Sequence, residues 1–311
     1  MRRQSRYSLV VSLTTYLLVV SGDVVVPPSQ AVTVKVVDAV AGHPLTEAIS
    51  NPFQVQGVFT FTSAPSGTIT VGDQKAVSWT KTSTITNVGL YYAVGAAETL
   101  IDTTSVTALT WTVPSDAVGG TVTLKLRDAD AGHPPATTTS AAFAVKGTVT
   151  LTSVPSGTIT VGDEPVITWT KSGNIPTVNL YYTIGGSDTL IAGGLTGLST
   201  PWTVPAEAIG TSVTLKLTDA DASHPLTEDI SAAFVVRGIL TITDPAALLT
   251  VGVSETLDWT KTSTITSVDL FYSTDGSTWT TITAGATGTS FGWSPQGQAI
   301  GTNVTVKVVD A

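Results

Sequence analysis

Three histidines are the only ones in the chain, and each sits in the same short loop. Asp128-Ala129-Asp130-Ala131-Gly132-His133-Pro134 matches Asp219-Ala220-Asp221-Ala222-Ser223-His224-Pro225, and an earlier copy reads Asp38-Ala39-Val40-Ala41-Gly42-His43-Pro44. Closely spaced aspartate oxygens suit a hard cation such as calcium, and aspartate with histidine suits zinc. The competing chemistry is a tight turn in which Asp bonds to backbone and His-Pro enters an extended segment. The spacing matches no established metal loop, and Val40 removes one carboxylate from the first copy. The turn is therefore the expected role of Asp128, Asp130, His133, Asp219, Asp221 and His224, with a metal as the lesser alternative and no cofactor expected.

Other catalytic constellations are missing. Asp163-Glu164 is the nearest approach to a glycosidase-like carboxylate pair, but the aligned residues in the other copies are Gln74 and Ser254. No Ser-His-Asp order, phosphate loop or zinc-protease motif occurs. With no cysteine, disulfides and thiol chemistry are excluded. A net charge of −9 without a basic stripe argues against nucleic-acid binding. The chain reads as non-enzymatic.

The elements that carry these loops are repeats. Val122–Asp128 (Val-Thr-Leu-Lys-Leu-Arg-Asp) recurs from Val32, Val213 and Val304, a spacing of 90 or 91 residues. Apolar and polar residues alternate in it, as in a half-buried strand. Two full repeats, 58–147 and 148–238, are flanked by partial ones, 1–57 and 239–311. Each full repeat carries about seven or eight strands separated by turn residues such as Pro65-Ser66-Gly67 and Gly119-Gly120. No segment keeps a 3.6-residue period. The expected fold is all-β, tandem β-sandwiches of about 90 residues. Almost no linker separates them, so a rod-like array is expected.

Parity assigns the faces. Val77, Trp79, Val88, Leu90 and Tyr92 point inward, with Trp111, Trp202 and Trp293 plugging one end of each core. Tyr91, Tyr181 and Phe271 then face outward, one per repeat, as an interaction ladder for a neighbouring subunit or for sugar stacking. Lys81, Lys171, Lys261, Lys125, Lys216 and Lys307 share outward parity. No asparagine stands in the last strands of the full repeats for a Lys–Asn isopeptide bond, and the single sequon is Asn303-Val304-Thr305.

Val-Gly-Asp, Trp-Thr-Lys, Val-x-Leu-Tyr-Tyr, Trp-Thr-Val-Pro, Val-Thr-Leu-Lys-Leu and Ser-Ala-Ala-Phe-x-Val follow one another in each full repeat. This succession resembles an immunoglobulin-like or fibronectin-III-like module. It is most similar to the Ser/Thr-rich Ig-like modules of microbial cell-surface proteins, including those of fungal cell-wall assembly proteins. The resemblance implies an extracellular or cell-surface location and marks architecture rather than activity. The third copy departs from it at Val253 and at Gly292-Trp293-Ser294-Pro295.

Charged residues make up 12% of the chain, against roughly 25% in ordinary globular proteins. So neutral a surface is expected to be covered by neighbouring subunits, a cell wall or sugars. Arg2, Arg3 and Arg6 before the apolar run 7–20 read either as a secretory signal or as strands of a shortened first repeat. The run is too short and interrupted for a confident membrane span. The third repeat reaches Ala311 before its last strand, which fits either a piece of a longer array or a strand supplied by another subunit. The expected partner is the chain itself in head-to-tail contacts, with cell-wall or host glycans as the alternative.

Overall fold

The computed structural model describes residues 33, 35–37, 42–44, 46–262 and 264–311. The signal-like stretch 1–30 lies outside the described residues. The chain divides after Val145 into two compact units.

In the first unit, β1 (Lys35–Val37) and β2 (Glu47–Ile49) form an exposed antiparallel pair. Next come β3 (Phe59–Ser63), β4 (Thr68–Thr70), β5 (Gln74–Lys81), β6 (Val88–Val94) and β7 (Ala97–Thr104). β8 (Ala108–Thr112), β9 (Gly119–Asp128), β10 (Thr137–Thr139) and β11 (Phe143–Lys146) complete the set. They form two sheets, β3-β5-β8 and β4-β11-β9-β6-β7, with β10 also on β9. This is the expected sandwich of immunoglobulin or fibronectin-III type.

The second unit repeats the plan. β12 (Thr148–Ser153), β13 (Thr158–Thr160), β14 (Val166–Ser172), β15 (Val178–Ile184) and β16 (Ser187–Leu195) come first. β17 (Ser199–Pro201), β18 (Gly210–Asp219), β19 (Glu228–Ile230) and β20 (Phe234–Arg237) follow. Their sheets are β12-β14-β17 and β13-β20-β18-β15-β16, with β19 on β18. A further sandwich holds β21 (Leu240–Ile242), β22 (Glu255–Lys261), β23 (Ser267–Ser273), β24 (Thr280–Thr287), β25 (Ser290–Trp293) and β26 (Thr305–Asp310). Its sheets, β21-β22-β25 and β24-β23-β26, have three strands each.

The cores follow the parity argument. Val77, Trp79, Val88, Leu90 and Tyr92 are buried, as are Val122, Leu124 and Leu126 on β9. Trp111 stacks on Tyr92 with centroids 5.8 Å apart and meets Phe143 edge-on at 6.1 Å. Tyr182, Trp202 and Phe234 repeat the arrangement at 5.8 and 6.2 Å. The indole N–H groups of Trp79, Trp169 and Trp259 are buried without an acceptor among the described residues. Such a donor costs about 1–3 kcal/mol, which the large buried ring surface offsets.

Two local features explain the strand pattern. The last strand of the first repeat is preceded by a separate short strand, because Ser140-Ala141-Ala142 interrupts the ladder between β10 and β11. There the Leu124 amide donates to Ser140 Oγ at 2.9 Å instead of to a carbonyl. The Val-Gly-Asp turn needs glycine, since Gly72 and Gly162 have φ of 87° and 88°. Asp73 and Asp163 then accept from the amides of Thr70 and Thr160 at 3.1 and 2.7 Å, which secures β4 and β13. Val253 cannot do this, and residues 248–250 form no strand.

Candidate functional site

The aspartate–histidine loops close the turns that leave β9 and β18. His133 Nδ1 lies 2.7 Å from Asp128 Oδ2, and His224 Nδ1 lies 2.8 Å from Asp219 Oδ2. Asp128 Oδ1 and Asp219 Oδ1 accept from the amides of Asp130 and Asp221, at 2.9 and 3.0 Å. The second aspartates differ. Asp130 reaches back to the loop before β6 and accepts from the amides of Thr86 and Asn87 and from Asn87 Nδ2. Burial raises its carboxyl pKa, but those donors together with the His133 charge hold it below the ordinary value. In the second repeat Pro176 stands where Thr86 stands in the first and has no N–H to offer. Asp221 instead accepts from the Ser223 hydroxyl and amide, at 2.7 and 2.9 Å, which lowers its pKa.

Ligand atoms of Asp128, Asp130 and His133 converge within 4.8 Å, the one such group among the described residues. The geometry could hold a cation by three ligands. However, the Asp130 oxygens already accept backbone and amide donors, and Asp128 is shared between the Asp130 amide and His133. These are the bonds of a loop lock. Asp219, Asp221 and His224 do not form a comparable cluster among the described residues. Asp38 and Val40 of the first copy lie outside the described residues.

The aromatic ladder lies on β6, β15 and β23, each of which has a strand on both sides. Tyr91, Tyr181 and Phe271 are half-buried and stand directly across from Lys125, Lys216 and Lys307 on the adjacent strand. Arg127 lies over the Tyr91 ring at 4.8 Å, and Lys307 lies 5.1 Å from Phe271 and 4.2 Å from Trp279. Glu98 pairs with Lys125 at 2.6 Å and also with Arg127. Lys216 pairs with Asp188 at 2.8 Å and with Glu228 at 3.5 Å. The cross-strand hydrogen bond that Lys125 donates lowers the Glu98 pKa, and the one that Lys216 donates to Asp188 raises the Lys216 pKa. Arg127, Glu98, Asp188 and Trp279 were not visible as partners in the sequence, because they approach only through strand pairing. Lys81, Lys171 and Lys261 fold back onto loop carbonyls of Thr86, Pro176 and Thr266, at 2.7, 2.9 and 3.0 Å.

A cleft of about 530 Å³ opens at the edge of the second sandwich, beside Tyr182, Leu190, Trp202 and Glu207. Glu207 is the only carboxylate lining it, so no acid pair converges there. Glu164 accepts from Thr203 Oγ1 at 3.1 Å as an exposed turn residue.

The second unit also contains a joint between its two sandwiches. Ile209, just after the turn Ala206–Ala208, packs against the core of residues 239–311. A Cβ on Gly238 would lie 2.8 Å from Ile265 Cδ1 and 2.9 Å from Ile209 Cδ1, so a larger residue there would have to push both isoleucine tips aside. Thr264 Oγ1 donates to the Ala206 carbonyl at 3.0 Å. Among the described residues no helix is long and apolar enough to cross a membrane.

No protein-family model matches the chain, and no curated protein does. Among solved structures, the chain is similar to a tetra-tandem repeat from the extending region of a large adhesion protein. That match has 15% identity and a TM-score of 0.38, and covers 81% of this chain and 73% of that one. A two-domain fibronectin type-III segment of chicken tenascin matches at 14% identity over 56% of this chain and 97% of that one, with a TM-score of 0.36. Titin domains A168–A170 match at 13% over 82% and 92%, with a TM-score of 0.32. The chain's own strand order makes it an array of immunoglobulin- or fibronectin-III-like sandwiches.

Proposed function

We propose that the protein is a non-enzymatic extracellular structural protein whose sandwiches build a surface filament or stalk through head-to-tail contacts. The observation that carries this reading is the joint at Ile209, Gly238 and Ile265. Neighbouring sandwiches are locked by interdigitated apolar side chains and a hydrogen bond, with no flexible linker between Arg237 and Leu240. A joint of this kind transmits tension and orientation, which a stalk requires. The low charge agrees with a surface covered by like neighbours. Electron micrographs of the purified chain are expected to show fibres. Dispersed particles at high concentration would overturn the reading.

An adhesin or carbohydrate-binding surface array is the second reading, favoured by one half-exposed aromatic ring per sandwich at Tyr91, Tyr181 and Phe271. Glycan-array binding that disappears in Tyr91→Ala, Tyr181→Ala would support it.

A further inference from the structure

We infer that the ladder face of the first sandwich in one copy docks side by side on the ladder face of the second sandwich in another copy, bringing Arg127 to Asp188 and Glu228. The contact is lateral and goes beyond the head-to-tail joint.

The two faces share one plan. Tyr91 and Tyr181 each stand across from a lysine on one side, Lys125 or Lys216, and from a leucine on the other, Leu100 or Leu190. Beyond the lysine the row ends in Thr139 in the first sandwich and in Ile230 in the second. Leu100 is 50% exposed, and Leu190 and Ile230 are each 54% exposed. Single exposed aliphatics are ordinary, but these line up with a half-buried ring into a strip that crosses adjacent strands. The faces have low relief. A Cβ on Gly89 would lie 2.9 Å from Tyr91 Cε2, so the tyrosine ring lies down over the glycine. Asn179 takes the same place in the second sandwich and is held by the Gly194 amide, which donates to its Oδ1 at 2.9 Å. Sheet faces of this kind stack about 10 Å apart.

Charge tells the faces apart and selects the occupant. The first face carries two cations and one acid, Lys125 and Arg127 with Glu98. The second carries two acids and one cation, Asp188 and Glu228 with Lys216. The difference arises in one cross-strand pair. Arg127 stands across from Thr137, and at the equivalent place Thr218 stands across from Glu228. Arg127 lies over the Tyr91 ring at 4.8 Å. Among the described residues no cation lies over Tyr181, because Lys216 is held between Asp188 and Glu228. Like faces therefore repel and unlike faces attract, so the first face selects the second rather than itself.

Charge exchange between copies tests this. In sedimentation velocity, Arg127→Glu should weaken association at least about tenfold, and so should Asp188→Lys with Glu228→Lys, because each variant meets itself with like charges. An equimolar mixture of the two variant chains should recover the association of the unaltered chain, since each altered face finds its complement on the other chain. Circular dichroism checks that the variants fold. Arg127→Gln and Glu228→Gln repeat the test without reversing charge; each should weaken association by a smaller factor and flatten its salt dependence. Loss in both reversed variants with no recovery on mixing would overturn the inference. Assemblies that ignore every one of these substitutions would overturn lateral docking and leave the head-to-tail reading intact. Glycan binding lost in Tyr181→Ala, in a chain whose assembly ignores the charge changes, would give this face to sugar instead. A strictly monomeric unaltered chain would overturn both the lateral contact and the head-to-tail reading.

Discussion

Replacing Asp130 by alanine separates a structural loop from a ligand site. In the first repeat the carboxylate ties the turn after β9 to the amides of Thr86 and Asn87 and to Asn87 Nδ2, at 3.0 and 2.8 Å for the two Asn87 contacts. Hydrogen bonds to an ionised group contribute about 1.5–3 kcal/mol each at most. Thr86 and Asn87 are exposed, so water replaces part of what is lost. Asp130→Ala should therefore destabilise the first sandwich by about 2 kcal/mol, which speeds globally opened amide exchange at Leu126 by about thirtyfold. Asp221→Ala should leave exchange at Leu217 nearly unchanged, since the Asp221 carboxylate meets only groups of its own loop, Ser223 and His224. The pH sign follows from a depressed folded-state pKa. The contribution of Asp130 is fully present above the unfolded carboxyl value of about 4 and is lost as pH falls through the lower folded value. Equal effects of the two substitutions would refute the reasoning. So would a chelator that reproduces the Asp130→Ala loss in the unaltered chain.

Gly238→Ala should destabilise residues 239–311 by about 1–3 kcal/mol through overpacking against Ile265 and Ile209, read as faster exchange on β22 and β23. Gly197→Ala, whose added Cβ meets nothing nearer than 3.9 Å, should change stability by less than about 0.5 kcal/mol. Asp275 accepts from the amides of Thr278 and Ser277 at 2.7 and 2.8 Å and from Ser273 Oγ at 2.9 Å, which hold its carboxyl far below the usual carboxylate range. An NMR titration should find it still ionised where ordinary aspartates are protonated, and a midpoint near about 3.9 would contradict the turn geometry.

The fold was legible because its signals are local. Alternation alone places Trp79 and Tyr92 inward and Tyr91 outward, and the turn residues punctuate the strands. The split between β10 and β11 was not legible, since a serine hydroxyl replaces a carbonyl there only once strands are paired. For the same reason the Asp loops read as one motif, although Asp130 clamps a distant loop and Asp221 does not. That difference is set by Thr86 against Pro176, 44 or so residues away in the chain. Arg127 over Tyr91 and Ile209 at the joint are likewise products of tertiary approach, and neither residue type announces its role. The aromatic ladder was visible as a period, but its cationic cover depends on cross-strand register.

Sedimentation velocity over a wide concentration range tests the central claim most directly. The account predicts species that grow with concentration well beyond the 31.9 kDa of one chain. A single 31.9 kDa species at every concentration would contradict it.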